Sequence, residues 1–224
     1  MAKKSTKFDK KAKLKQRSGS RVALIVQIIA AIGGAVLLGY ALLISVGGGT
    51  QSGGTQGGGS ADRFGRFLPA SYQEQSISNP VDYSQQQAVP MTDVKNSVAD
   101  GSVEISLNDI KQNKFIFTAY EKKQVNFNGG TTGLPIMAYI KPSGKLFVAI
   151  SFCPPCQGIR HTITPDGTLS CNTCGTKRDL ETQKGISGAC ALYPPDELPV
   201  KIQGDKVLIS EKVLNDWSPQ QITQ

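Results

Sequence analysis

The stretch Leu146-Phe147-Val148-Ala149-Ile150-Ser151-Phe152-Cys153-Pro154-Pro155-Cys156, followed after 14 residues by Cys171-Asn172-Thr173-Cys174, decides how this chain is read. Leu146–Phe152 is an almost continuous apolar run, the pattern of a buried strand, and it delivers the chain directly to Cys153. Two C-x-x-C units at this separation can fold back and place four sulfurs around one centre, as proteins do to hold Zn²⁺ or iron–sulfur clusters. Between them, Ile163-Thr164-Pro165-Asp166-Gly167-Thr168-Leu169 predicts a hairpin with a Pro-Asp-Gly turn. Gly175, directly after the second pair, permits the positive φ that a tight knuckle needs. Knuckle, hairpin, knuckle is the arrangement of a zinc ribbon or a rubredoxin-like site.

The candidate ligands are therefore Cys153, Cys156, Cys171 and Cys174. The spacing is specific for a four-sulfur site and silent about the metal, so zinc and iron both stand. Two other readings of the same residues remain open. Outside the cytoplasm cysteines oxidise to disulfides, and Cys153 with Cys156 has the spacing of a thiol–disulfide redox pair. That second chemistry needs a helix N-terminus under the first cysteine, and Gln157-Gly158 before a hairpin is no helix start. Cys190, the fifth cysteine, is expected to pack near the site without being a ligand. His161, the one histidine, is expected on a surface loop. A single histidine and no Ser/His/Asp set argue against hydrolytic chemistry. Tyr193-Pro194-Pro195 reads as a rigid turn over the site, and Trp217 as a cover for the end of a sheet.

Working outward, alternation at Val103, Ile105 and Leu107 predicts a strand. Lys114–Tyr120, Gln124–Phe127 and Leu134–Ile140 read as further strands, and Val200 and Ile202 pair with Val207 and Ile209 across Gly204-Asp205. Past residue 60 no long amphipathic helix is visible. The fold class is all-β: one small zinc-ribbon-like β domain over residues 102–217 with a four-cysteine site, followed by a short tail at 218–224. Order is expected to begin near Val103.

The net charge of +8 does not describe this domain. Residues 1–21 carry nine basic side chains and one acid, Asp9, a balance equal to that of the whole chain. The remaining residues hold equal numbers of acids and bases, so nothing points to a nucleic-acid surface. Val22 to Val46 is 25 residues long, without a charge, and as a helix about 37 Å long crosses a bilayer. Basic residues before it predict a cytoplasmic N-terminus, a single-pass anchor and a domain outside the cytoplasm. A cleaved signal peptide is the competing reading, but its apolar core is usually shorter. Gly47 to Ser60, with eight glycines in 14 residues, continues with a polar Gln/Ser-rich stretch as a linker over 47–101.

Beyond these patterns lie two family resemblances. Cys171-Asn172-Thr173-Cys174-Gly175, Arg178-Asp179-Leu180-Glu181-Thr182, Gly185, Ser187-Gly188 and Pro199-Val200 through Gly204-Asp205-Lys206-Val207 resemble the second cluster loop and following strands of Rieske domains. Cysteine stands at both places where that family has histidine. From about Val103 to Ile209, including Phe152-Cys153 and Gly185-Ile186-Ser187-Gly188-Ala189-Cys190, the chain is similar to the FtrD-like family of membrane-associated iron–sulfur proteins, often linked with ferrous-iron uptake. The resemblance implies an iron–sulfur cluster, of the 2Fe-2S type if it sits as in Rieske proteins, with zinc as the alternative. Cys153 and Cys171 would then hold one iron, Cys156 and Cys174 the other. All-thiolate ligation would lower its potential below the Rieske range. The implied function is electron transfer or metal handling, without enzymatic turnover, with a redox or metal-transport partner at the membrane. A structural zinc ribbon in a binding module and a thiol–disulfide oxidoreductase are the alternatives.

Overall fold

The computed structural model describes residues 66–222. Its strands are β1 (Val89–Pro90), β2 (Thr92–Asp93), β3 (Ser97–Ala99), β4 (Ser102–Ser106), β5 (Phe115–Phe127), β6 (Gly130–Ile140), β7 (Leu146–Ile150), β8 (His161–Thr164), β9 (Thr168–Cys171), β10 (Lys177–Asp179), β11 (Gly185–Ser187), β12 (Val200–Gln203) and β13 (Lys206–Ser210). Two short helices join them, α1 (Leu107–Asn113) after β4 and α2 (Glu211–Asp216) after β13. The strands form three sheets in the orders β1-β8-β9-β10-β11, β12-β13-β4-β3 and β2-β5-β6-β7. The all-β reading thus holds for the described residues, with two helical turns added at strand ends.

The sheet β2-β5-β6-β7 lies between two cores, and strand periodicity sorts its side chains between them. Ile136, Ala138 and Ile140 of β6, with Leu146, Val148 and Ile150 of β7, join Val103, Ile105, Val207 and Ile209 in one core. Met137, Tyr139, Phe147 and Ala149 point the other way and join Ile163, Leu169 and Leu180. Both faces of β7 are dry, which is why 146–150 reads as an unbroken apolar run. Tyr139 is the keystone of the second core, edge-on to Phe115 at 5.8 Å and tilted on Phe147 at 4.8 Å between ring centres. Its hydroxyl donates to the carbonyl of Leu180 at 2.7 Å and so ties the middle sheet to the cysteine-bearing one.

Several expectations are corrected. The separate strands at 114–120 and 124–127 are one strand, β5, whose register shifts between Tyr120 and Gln124, so the charged Glu121-Lys122-Lys123 is absorbed as an irregularity. Leu107 ends no strand; it opens α1, because the Ser106 hydroxyl accepts the N–H of Asp109 as an N-cap. The hairpins at 163–169 and 200–209 form as expected, with Thr164 opposite Thr168 and Gln203 opposite Lys206.

Order begins well before Val103. From residue 66 the chain is strapped to the domain by polar contacts. Arg66 donates two hydrogen bonds to Asp196, at 2.8 and 2.7 Å, and Asp196 also accepts from Trp217 and Gln220. Glu74 pairs with Lys141 and Lys145. Tyr83 is buried in the second core, its hydroxyl donating to the carbonyl of Ile140. The anchor expected at 22–46 and the linker to residue 65 lie outside the described residues. Among the described residues no helix is long and apolar enough to cross a membrane.

Candidate metal centre

The two C-x-x-C units fold into the same backbone knuckle. At the first, the N–H of Cys153 donates to the carbonyl of Gly158 at 2.9 Å, and the Cys153 carbonyl accepts from the N–H of Gln157 at 2.7 Å. At the second, the N–H of Cys171 donates to Thr176 at 3.0 Å, and its carbonyl accepts from Gly175 at 2.8 Å. Both close through a left-handed residue four positions after the first cysteine, Gln157 at φ 53° and Gly175 at φ 68°. Strand β7 aims the first knuckle and hairpin β8–β9 carries the second.

No disulfide forms; all five cysteines are free thiols. The Sγ atoms of Cys153, Cys156, Cys174 and Cys190 all lie within 4.8 Å of one another. Cys171, the remaining member of the predicted set, lies against this quartet, its Sγ 3.7 Å from that of Cys156. Three predicted ligands thus share one space with the unpredicted Cys190, and Cys171 flanks them. Cys153, Cys171 and Cys190 are 3–5% exposed, whereas Cys156 is half-buried and Cys174 open to solvent.

His161 is not on a surface loop. It is buried on β8, directly opposite Cys171 of β9. Ser151 spends its one hydroxyl proton on the carbonyl of Ile159 at 2.7 Å, so the contact at 3.3 Å with His161 Nδ1 has the ring nitrogen donating. The other nitrogen is left for Cys171, with which His161 also bonds. A bond from Cys153 is the first cause holding the Cys171 thiol far below its ordinary range, and His161 adds to it. The partner proton sits on Cys153, raised by Cys171 and by burial, while burial pushes Cys156 up to about 12. So crowded a set of thiols cannot all ionise without a cation among them.

Arg178, quoted above only as part of the Rieske resemblance and given no role there, is the charged group behind the site. Its side chain is 5% exposed and donates to the carbonyls of Cys190, Ala191 (2.9 Å) and Tyr193 (2.6 Å). Burial lowers its pKa, against the opposing pull of Cys153, Cys190, Cys174 and Cys171. Among the described residues no carboxylate pairs with it, and the groups that act on its charge are the cysteine sulfurs. A void of about 10 Å³ beside Cys153 and Cys171 is closed by Tyr193 and Pro195, the turn expected over the site. Trp217 meets Phe152 edge-on at 5.7 Å just before the first knuckle.

Residues 110–220 match the model of the family described as membrane iron-sulfur containing protein FtrD-like. The β domain belongs to the FtrD-like family. No curated protein matches the chain. Among solved structures, the plasma membrane Rieske protein PetC3 from Synechocystis PCC 6803 superposes with a TM-score of 0.33 at 16% identity, over 47% of this chain and 94% of that one. The ferredoxin of carbazole 1,9a-dioxygenase from Nocardioides aromaticivorans IC177 reaches 0.31 at 11% identity, over 47% of this chain and 92% of its own. A Sphingomonas yanoikuyae B1 ferredoxin reaches 0.29 at 16%, over 59% and 96%. Superpositions this loose leave the ligand assignment to the FtrD-like domain's own geometry.

Proposed function

We propose that this FtrD-like protein is a membrane-tethered iron–sulfur protein that passes single electrons, or handles metal, at the outer face of the cytoplasmic membrane. The observation that carries it is the convergence of five free thiols, three of them nearly dry, beside a buried guanidinium that has no carboxylate partner among the described residues. The donor set fits the group: soft thiolates select iron–sulfur clusters and zinc, and an anionic centre here would neutralise Arg178. Cys153, Cys156 and Cys174 hold it, with the fourth place taken from Cys171 and Cys190. When bound, such a centre supplies a one-electron couple; a 2Fe-2S cluster is the form the sequence resemblance favours.

The chain's own residues have separate duties there. Backbone hydrogen bonds of the knuckles fix the direction of the sulfurs. Tyr193 and Pro195 line the small void beside Cys153 and Cys171. Exposed Cys174 gives electrons a short way out to a partner. The anchor at 22–46 and the basic residues before it support the membrane location, as does the description of the family.

A second reading, a structural zinc ribbon, is favoured by one distance. Four thiolates at about 2.3 Å from one tetrahedral ion stand about 3.8 Å apart, and a quartet within 4.8 Å is nearer to that than to the wider spread of two irons. A dithiol oxidoreductase is not favoured, since Cys153 is buried and its pKa is raised, the reverse of an attacking thiol. The test is isolation of the full chain in detergent without oxygen, followed by absorption spectroscopy and assays of metal and labile sulfide. A brown protein with iron and sulfide supports the proposal. Colourless protein with one zinc replaces it with the second reading, and metal-free protein with disulfides refutes both.

A further inference from the structure

We propose that Cys190 is a ligand of the centre, the fourth thiolate beside Cys153, Cys156 and Cys174, and that Cys171 is a spare thiol outside the ligand set. The inference rests on the functional reading above and goes beyond the two C-x-x-C pairs.

Distance is the first support. Cys190, not Cys171, completes the set of sulfurs that are all within 4.8 Å of each other. The second is how the segment carrying Cys190 is held. Its N–H donates to Thr176 Oγ1 at 3.2 Å, and the same oxygen lies 3.3 Å from the Sγ of Cys174. One hydroxyl therefore fastens Cys190 to the second knuckle, and because it accepts from Cys190 its proton is available to a Cys174 thiolate. On the other side Arg178 grips the carbonyls of Cys190, Ala191 and Tyr193. Thr176 stands just before β10 and Arg178 is its second residue, so the strand leaving the second knuckle clamps the loop that brings the fifth cysteine in.

Close approach is the third support. A Cβ on Gly188, at φ 98°, would stand 2.7 Å from Thr176 Cα, and one on Gly185 would stand 2.7 Å from Ala191 Cβ. Only glycine at these places lets the segment lie against the knuckle. A thiol that merely fills space needs none of this bracket. Cys171, in contrast, lies opposite His161 at the flank of the quartet, its Sγ 3.7 Å from that of Cys156. On binding, each ligating thiol releases its proton to solvent and no oxidant or reductant is consumed.

The test compares Cys190→Ala and Cys171→Ala in the full chain, isolated in detergent without oxygen. Iron per chain, visible absorption and circular dichroism are read on each. The expectation is a Cys190→Ala protein with iron at least tenfold below the unsubstituted chain, and a Cys171→Ala protein within twofold of it. Cys190→Ser, which offers one oxygen in place of sulfur, is expected to hold iron with weakened and shifted sulfur-to-iron bands. This variant separates ligation from packing should Cys190→Ala lose its fold. Wild-type iron and bands in both Cys190 variants overturn the proposal, and so does a folded Cys171→Ala protein that has lost its iron. An unsubstituted chain that takes up no metal removes the functional reading itself, and this inference with it.

Discussion

The first knuckle and the second share a hydrogen-bond pattern residue for residue, yet they are held in place by different means. Cys153 arrives on the end of β7, a strand buried on both faces, and Phe152 before it is locked against Trp217. Pro154 and Pro155 stiffen the turn from within. Cys171 arrives on a hairpin strand of four residues, and Asn172 and Thr173 after it are exposed. What steadies this side comes from later in the chain: Thr176, Arg178 and the loop from Gly185 to Tyr193. One knuckle is therefore preformed by the core while the other is completed by a clasp, and the clasp carries its own cysteine.

Metal removal should expose that asymmetry most strongly. A centre bound at a hundred times its Kd adds about 3 kcal/mol, which for a domain of this size is about 10 °C in Tm. We expect a chelated, reduced chain to melt lower by about that much. In hydrogen exchange the amides of Cys190 and Gly175 should open about tenfold faster, with little change at Cys153. Equal loosening of both knuckles would break the comparison.

Next in size is the clasp itself. Arg178→Met removes three bonds from a charged donor and is expected to cost about 3 kcal/mol, less whatever the apolar side chain recovers by escaping desolvation. Arg178→Lys, with its compact head, should keep about half of the stability. Thermal melts that leave Arg178→Met unchanged would show that the loop does not depend on it. Gly188→Ala follows, at about 2 kcal/mol, since its Cβ would meet both the Thr176 hydroxyl and, at 2.7 Å, the Thr176 Cα, which cannot swing aside.

The asymmetry also explains what could be read from the sequence. The first knuckle, the two hairpins and the buried strand before Cys153 were legible because their signals are local: Cys-x-x-Cys, Pro-Asp-Gly, and apolar periods of one or two. Thr176, Arg178 and Cys190 carry no such mark. Their meaning is a contact across 12 to 15 positions, and an arginine in a polar stretch reads as surface until its carbonyl partners are known. His161 was misplaced for the same reason: alternation in His161-Thr162-Ile163-Thr164 puts it on the face of Ile163, but an ionisable residue beside a turn reads as exposed. The strap from 66 to 101 escaped because ion pairs, scattered hydrogen bonds and three strands of only two or three residues, β1 to β3, hold it, with Tyr83 as its one deeply buried apolar anchor. Polar composition marked it as linker, and composition cannot show that Asp196 and Glu74 have partners waiting.

The smallest effects test whether the knuckles are equivalent as backbone. Gln157 occupies at φ 53° the place that Gly175 occupies at φ 68°. A side chain there costs about 1 kcal/mol of left-handed strain. Removing it in Gln157→Gly relieves that strain but frees the unfolded chain by about 0.4–1 kcal/mol. The two nearly cancel, so Gln157→Gly should leave stability within about 0.5 kcal/mol. The reverse exchange, Gly175→Gln, meets the same two terms with their signs reversed: it adds the strain at the clasped knuckle and recovers the unfolded-state term. A Cβ there meets nothing within 4 Å, so no clash adds to the cost. We therefore expect a loss below about 1 kcal/mol by denaturant titration. A loss of several kcal/mol at Gly175, with none at Gln157, would mean that the second knuckle needs glycine for more than its φ, and the pair would not be interchangeable as backbone.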